Sequence, residues 1–288
     1  MVVGSCLSLQ FGAALATQLF PVAGPWGVTS VRLAAAALIL LVFVRPSVKD
    51  WTARTWRWVA LFGLSLGAMN GFFYAAVDRL PLGVAVTFEF LGPLTLAAVL
   101  SRSRRDLVWV AMALAGVGLL GLDAFRGATS LDLLGIVFAL VAATLWAIYI
   151  LLGARVGAMA TGQGPLAVAM TIGALAMLPF GATGAIALFA DPVLVLLAVG
   201  TGLLGSVLPY SLEFAALRRL PRPVFGVLLS LEPGFAALVG ALLLGQWLGI
   251  GSWIAVLLVT AASMGATAMG ERDKKVAAAA SAQRHHRS

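Results

Sequence analysis

The chain has 288 residues, 61% of them hydrophobic and 10% charged, with a mean hydropathy of +1.04. A soluble domain carries about 25% charged residues because its surface faces water, so this composition excludes one and requires lipid as the main solvent. The net charge of +8 does not imply a nucleic-acid partner, because the basic residues lie in short loops and the tail, and the single cysteine, Cys6, excludes a disulfide framework or a thiolate metal centre.

Roughly 20 apolar residues cross a hydrocarbon core. Dividing the chain at its polar punctuation predicts ten such stretches, at 3–20, 26–44, 56–77, 82–100, 107–123, 133–152, 166–189, 193–214, 223–244 and 251–269. The first begins MVVGSCLSLQ, without the basic leader of a signal peptide, and is read as a span. It carries Ser8 and Gln10. The second holds Arg32, one to two turns in, where the side chain can either snorkel outward or bind a carboxylate. In the third, Gly63, Gly67 and Gly71 recur every four residues and predict close helix contact, with Asn70 beside them.

The fourth stretch, GVAVTFEFLGPLTLAAVL, contains one charge, Glu89. Pro93 has no N–H, so the Glu89 carbonyl loses its helical partner, and Gly92 leaves room beside it. A freed carbonyl and a carboxylate at membrane depth are tolerated only against protein or a water-filled cavity. Trp146 and Tyr149 in the sixth stretch are candidate wall residues of a central path. Glu213, close to Arg218 and Arg219, is expected in an interfacial ion pair, and in the ninth stretch Pro233 follows another acid, Glu232. Ionisable groups inside spans are functional candidates by default.

With both ends inside, sixteen Lys and Arg fall in cytoplasmic loops and tail, against Arg79 and Arg126 outside. AAVDRLP at 75–81 repeats as AALRRLP at 215–221, and the same offset of 140 aligns Leu91-Gly92-Pro93 with Leu231-Glu232-Pro233. It also pairs Asn70 with Tyr210. Two copies of five spans must enter the membrane from opposite sides, which is an arrangement of secondary transporters with the substrate site between the repeats. The expected organisation is all-α, with one five-helix repeat over 1–124, a second over 131–270 and a disordered basic tail over 271–288. An enzyme reading has little to stand on: no histidine lies in a span, the acids are scattered singly, and no phosphate loop is present.

SLQFGAALA (8–16), GVTSVRLA (27–34), SLGAMNGFFY (65–74), LPLGVAVTFEFLGPL (80–94), LWAIYILLGARVGA (145–158), LPYSLEFAALRRLP (208–221) and FGVLLSLEPGFAAL (225–238) together resemble the ten-helix EamA-type branch of the drug/metabolite transporter superfamily. The resemblance spans nearly the whole chain. It implies a multi-pass exporter of the bacterial inner membrane for small amino acids such as L-threonine and L-homoserine, driven by the proton gradient. No cofactor or metal is implied. Residue by residue, it implies that Glu89 and Glu232 are the membrane acids and that Arg32 is the second-span arginine. Asn70 and Tyr74 fall in its third-span motif, Trp146 and Tyr149 in the sixth, Tyr210 and Glu213 in the eighth. The mechanism expected is alternating access by proton/amino-acid antiport. Glu89 would hold the substrate ammonium or the exchanged proton, and Arg32, Asn70 or Tyr210 the carboxylate. Export of other metabolites or drugs, or passive facilitation, are the alternatives.

Overall fold

The computed structural model describes residues 1–100, 106–125, 132–159, 162–217 and 227–285. Among them every regular element is helical: α1 (Val2–Thr17), α2 (Phe20–Val44), α3 (Ala53–Val77), α4 (Leu82–Glu89), α5 (Leu91–Leu100), α6 (Asp106–Phe125), α7 (Leu133–Gly157), α8 (Gly164–Leu188), α9 (Pro192–Gly202), a π-helical turn (Leu203–Val207), α10 (Leu208–Leu217), α11 (Glu232–Leu244) and α12 (Ile250–His285). Seven stretches are long and apolar enough to cross a membrane: Phe20–Val44, Ala53–Val77, Leu133–Gly157, Gly164–Leu188, Pro192–Glu213, Val227–Leu244 and Ile250–Ala268. Three shorter apolar helices, Val2–Thr17, Leu82–Leu96 and Val108–Leu120, accompany them. Each overlies one of the apolar stretches read from the sequence.

Two proline effects shape the spans. Phe90 N–H donates to the Val86 carbonyl and Leu94 N–H to the Phe90 carbonyl, at 2.9 and 3.3 Å, and the helix divides at Phe90 into α4 and α5, next to Pro93, which has no N–H to offer the Glu89 carbonyl. In α2 the break is at Gly24, whose φ of 61° and ψ of 167° precede Pro25. The run from Phe20 is thus two helical pieces, and the longer one begins at Pro25, within a residue of the expected 26, because glycine supplies the positive φ that the break before proline needs.

Lipid tails are as apolar as leucine, so helices associate by close packing rather than by hydrophobic segregation. Glycines allow it. A Cβ on Gly27 would fall 2.8 Å from the Gly184 carbonyl carbon, and one on Gly67 2.7 Å from the Gly173 carbonyl oxygen, so α8 meets α2 and α3 backbone to backbone. The predicted Gly63–Gly67 stripe thus faces α8, while Gly71 meets the Trp26 ring of α2. Gly92 does not leave open room: the Ala143 backbone of α7 occupies the space a side chain would need.

Further contacts link α3 with α7, α2 with α9 and the π-turn, α4 and α5 with α7, α4 with α11, and α6 with α12. α1 runs beside α9, the π-turn, α10 and α11. At the chain end, residues 271–285, expected as part of a disordered tail, continue α12 as helix. The stretch VAAAASA explains it, since alanine is the strongest helix former. Residues 286–288 lie outside the described residues, as do Arg102, Arg104, Arg105, Arg126, Arg218, Arg219 and Arg222 of the charge count.

Candidate functional site

Arg32 is 2% exposed and, among the described residues, is the one buried basic side chain. It does not snorkel. Its Nη2 donates to the Gly205 carbonyl at 2.6 Å and its Nε to Ser206 Oγ at 3.2 Å. The guanidinium carbon stands 4.8 Å from the centre of the Tyr74 ring. Both acceptors belong to the π-turn, where Leu208 N–H reaches back to the Leu203 carbonyl and the extra residue in the turn leaves backbone groups for side chains. Ser8 Oγ fills another, donating to the Leu204 carbonyl at 2.7 Å. Only glycine fits where α1 crosses this turn: a Cβ on Gly12 would lie 2.6 Å from the Gly205 nitrogen.

Three carboxyl groups belong to the same interior. Glu89, 8% exposed at the end of α4, forms no hydrogen bond with another described residue, and Arg32 is the charge that acts on it. Glu232, 6% exposed at the start of α11, accepts from Gln10 Nε2 at 3.1 Å. Glu213 in α10 accepts from Ser5 Oγ at 2.7 Å, and Ser5 also donates to the Pro209 carbonyl at 3.3 Å. Glu232 lies within the electrostatic reach of both Glu213 and Glu89. Tyr210 of α10 shares this interior with Arg32, Glu213, Glu89 and Tyr149. Tyr149 of α7 stacks on Phe62 at 4.7 Å. One guanidinium, acting on Glu89, and three carboxyls leave an interior suited to a further cation or to protons.

The structure thus brings together Gln10, Arg32, Tyr74, Glu89, Tyr149, Tyr210, Glu213 and Glu232. It leaves two candidates aside. Asn70 turns its amide back on its own helix, donating to the Leu66 carbonyl at 2.8 Å, because a buried side-chain amide takes the nearest backbone acceptor. Trp146 packs edge-on to Phe90 at 4.9 Å within the apolar core. Pro93 and Pro233 act through the breaks they impose, Pro233 sitting in the first turn of α11. The ion pair expected of Glu213 involves Arg218 and Arg219, outside the described residues; its observed partner is Ser5. Ser5, Gly205 and Ser206 carry no sequence signal of their own, since small residues are common in every span.

Outside the spans, Arg79 Nη1 pairs with Asp132 Oδ2 at 2.7 Å, with both side chains more than a third exposed. Asp132 also caps α7, its Oδ1 accepting from Leu134 and Gly135 N–H. The Arg79 hydrogen bond, with the two backbone donors, holds the Asp132 carboxyl below the usual carboxylate range. Among the described residues no group of three or more His, Cys, Asp or Glu could hold a metal ion.

A comparison with known families matches residues 133–268 to the EamA-like transporter family. Along almost the full length, the chain is 40% identical over 269 residues to the threonine/homoserine exporter RhtA of Escherichia coli K12, covering 93% of this chain and 90% of the relative. RhtA of Salmonella typhimurium LT2 aligns to the same extent. The chain belongs to the EamA-like transporter family. It is a multi-pass membrane protein. A solved crystal structure shares its fold at a TM-score of 0.54 and 19% identity, covering 94% of this chain and 96% of the other. For an EamA-like transporter, a buried cluster of arginine, tyrosines and acids drawn from α1, α2, α3, α4, α7, α10 and α11 is a candidate transport site.

Proposed function

We propose that the chain is a secondary-active exporter of small amino acids of the L-threonine and L-homoserine type, working by proton antiport in the bacterial inner membrane. The single observation that carries this is the 40% identity maintained over 93% of the chain to exporters named for those substrates. The proposed architecture is ten spans in two inverted five-helix repeats, with both termini cytoplasmic. Helix pairing supports it. Shifting by one repeat exchanges α3 beside α7 with α9–α10 beside α1, and α3 beside α8 with α9 beside α2; both members of each exchange are in contact. Likewise α4–α5 beside α7 exchanges with α11 beside α1, and the pair α2–α8 maps onto itself.

In this reading a zwitterion needs an anion for its ammonium and donors for its carboxylate. Arg32 uses two of its five N–H donors on the π-turn, so the fork retains others for a carboxylate. Glu89, without a hydrogen bond of its own among the described residues, takes the ammonium in one half of the cycle and a proton in the other. The cluster draws helices from both repeats, as alternating access about a fixed midplane site requires. The test is counterflow of a labelled amino-acid panel into proteoliposomes, with and without a pH step. Accumulation of threonine or homoserine against its gradient on the pH step is the expected result. Transport without accumulation would make the protein a facilitator, and no transport of either amino acid would end the substrate assignment.

A further inference from the structure

Gln10 is 1% exposed and its amide is half used. Nε2 donates to Glu232, while Oε1 has no hydrogen-bond partner among the described residues. A side-chain amide carries two donors and a carbonyl with two lone pairs, and folded proteins seldom bury such a carbonyl without giving it a donor. While the Glu232 carboxylate accepts from the amide nitrogen, the amide oxygen points away from that bond. α1 separates two polar faces here. Ser8 and Gly12, four residues apart, meet the π-turn that holds Arg32, whereas Gln10, half a turn round, faces α11 at Glu232. The orphan oxygen therefore lies on the side of α1 that faces α11, beside one acid of the cluster.

We propose that Gln10 is the specificity-determining residue for the side-chain hydroxyl of the substrate, its Oε1 accepting that O–H. The assignment rests on the amino-acid export reading above. The α-ammonium is a full cation and is matched by a carboxylate; a neutral carbonyl matches a neutral hydroxyl. A site that buries a hydrogen-bonding group for a substrate hydroxyl rejects the analogue lacking it far more strongly than an apolar pocket of the same size, which separates similar side chains by only about 10–200-fold. Glu232 is then a positioning residue, acting through the amide.

The experiment uses the full chain in proteoliposomes and reads ratios of counterflow, threonine against valine and homoserine against norvaline, each pair exchanging a hydroxyl for a methyl. Wild type favours the hydroxylated member, and in Gln10→Met both ratios fall at least about tenfold. Ratios unchanged in Gln10→Met overturn the proposal. If that variant does not transport, the same ratios are read as ligand-induced rises in melting temperature of the purified protein. If it does not fold, Glu232→Gln serves instead: an amide opposite Gln10 no longer fixes which atom points away, so the preference weakens, and an unaltered preference overturns the proposal. Wild type that carries neither hydroxyl amino acid refutes the export reading; wild type that carries both, with ratios insensitive to Gln10, refutes only this inference.

Discussion

The two broken spans hold their acids in different ways. In the first half, Pro93 follows α4, which ends at Glu89, and that carboxyl has no hydrogen bond to another described residue, lying instead in the fields of Arg32 and Glu232. In the second half, Pro233 stands one residue beyond Glu232, which is tied to Gln10 across α1. The same proline device thus yields one acid that is available and one that is engaged. The difference arises from spacing: the acid precedes the proline by four residues in one span and by one in the other, so only in the first does it share a position with the carbonyl that the proline leaves without a donor.

The largest effect expected from this contrast is in Glu89→Gln, which keeps size and polarity but cannot release a proton. Export driven by a pH gradient should drop to background while the protein elutes as a folded species; activity that survives while Glu232→Gln abolishes it would reverse the roles of the two acids. Arg32→Ala comes next. It strips the interior of its one described cation and should lower stability by about 3–5 kcal/mol, measured by thermal unfolding in detergent. Arg32→Lys keeps the charge but not the fork, and should raise the half-saturating substrate concentration about tenfold or more. An unchanged value would show that the carboxylate is bound elsewhere.

Smaller effects probe the frame around the acids. Gly12→Val forces a side chain into the backbone of the π-turn and should cost about 1–3 kcal/mol in the same unfolding measurement. Asp132→Asn should have the smallest effect, because the Arg79 pair is exposed and screened. Its sign with pH is fixed. The Asp132 carboxyl is depressed in the folded protein, so its contribution is complete above the ordinary carboxylate pKa and is lost as pH falls through the lower, folded value. The gap in melting temperature between wild type and Asp132→Asn should therefore be present at neutral pH and close in strong acid.

Much of this was legible because membrane constraints are severe. Composition alone required lipid-facing helices, and Pro93 announced the break at Glu89 four residues ahead. What stayed hidden depends on contacts between distant parts of the chain. Nothing near Gln10 points to Glu232, 222 residues away, and Arg32 read equally well as a snorkelling anchor until Gly205 and Ser206 stood in front of it. The π-turn has no residue code: LLGSV is as apolar and small as its neighbours. Asn70 stayed hidden for the opposite reason, its amide nitrogen reaching the Leu66 carbonyl of its own helix. The Gly24-Pro25 pair in α2 did carry its signal, a breaker dipeptide just ahead of the expected start at 26.

The glycine contact between α2 and α8 has a mechanical consequence. Two helices touching along their backbones at Gly27 and Gly184 can pivot on one another but cannot part without opening a gap for lipid to fill. In the proposed alternating-access cycle that seam would serve as an axle, with travel growing with distance from it. If that cycle operates, a covalent staple across the seam leaves transport intact, whereas the same staple joining positions 79 and 132 at the rim arrests it.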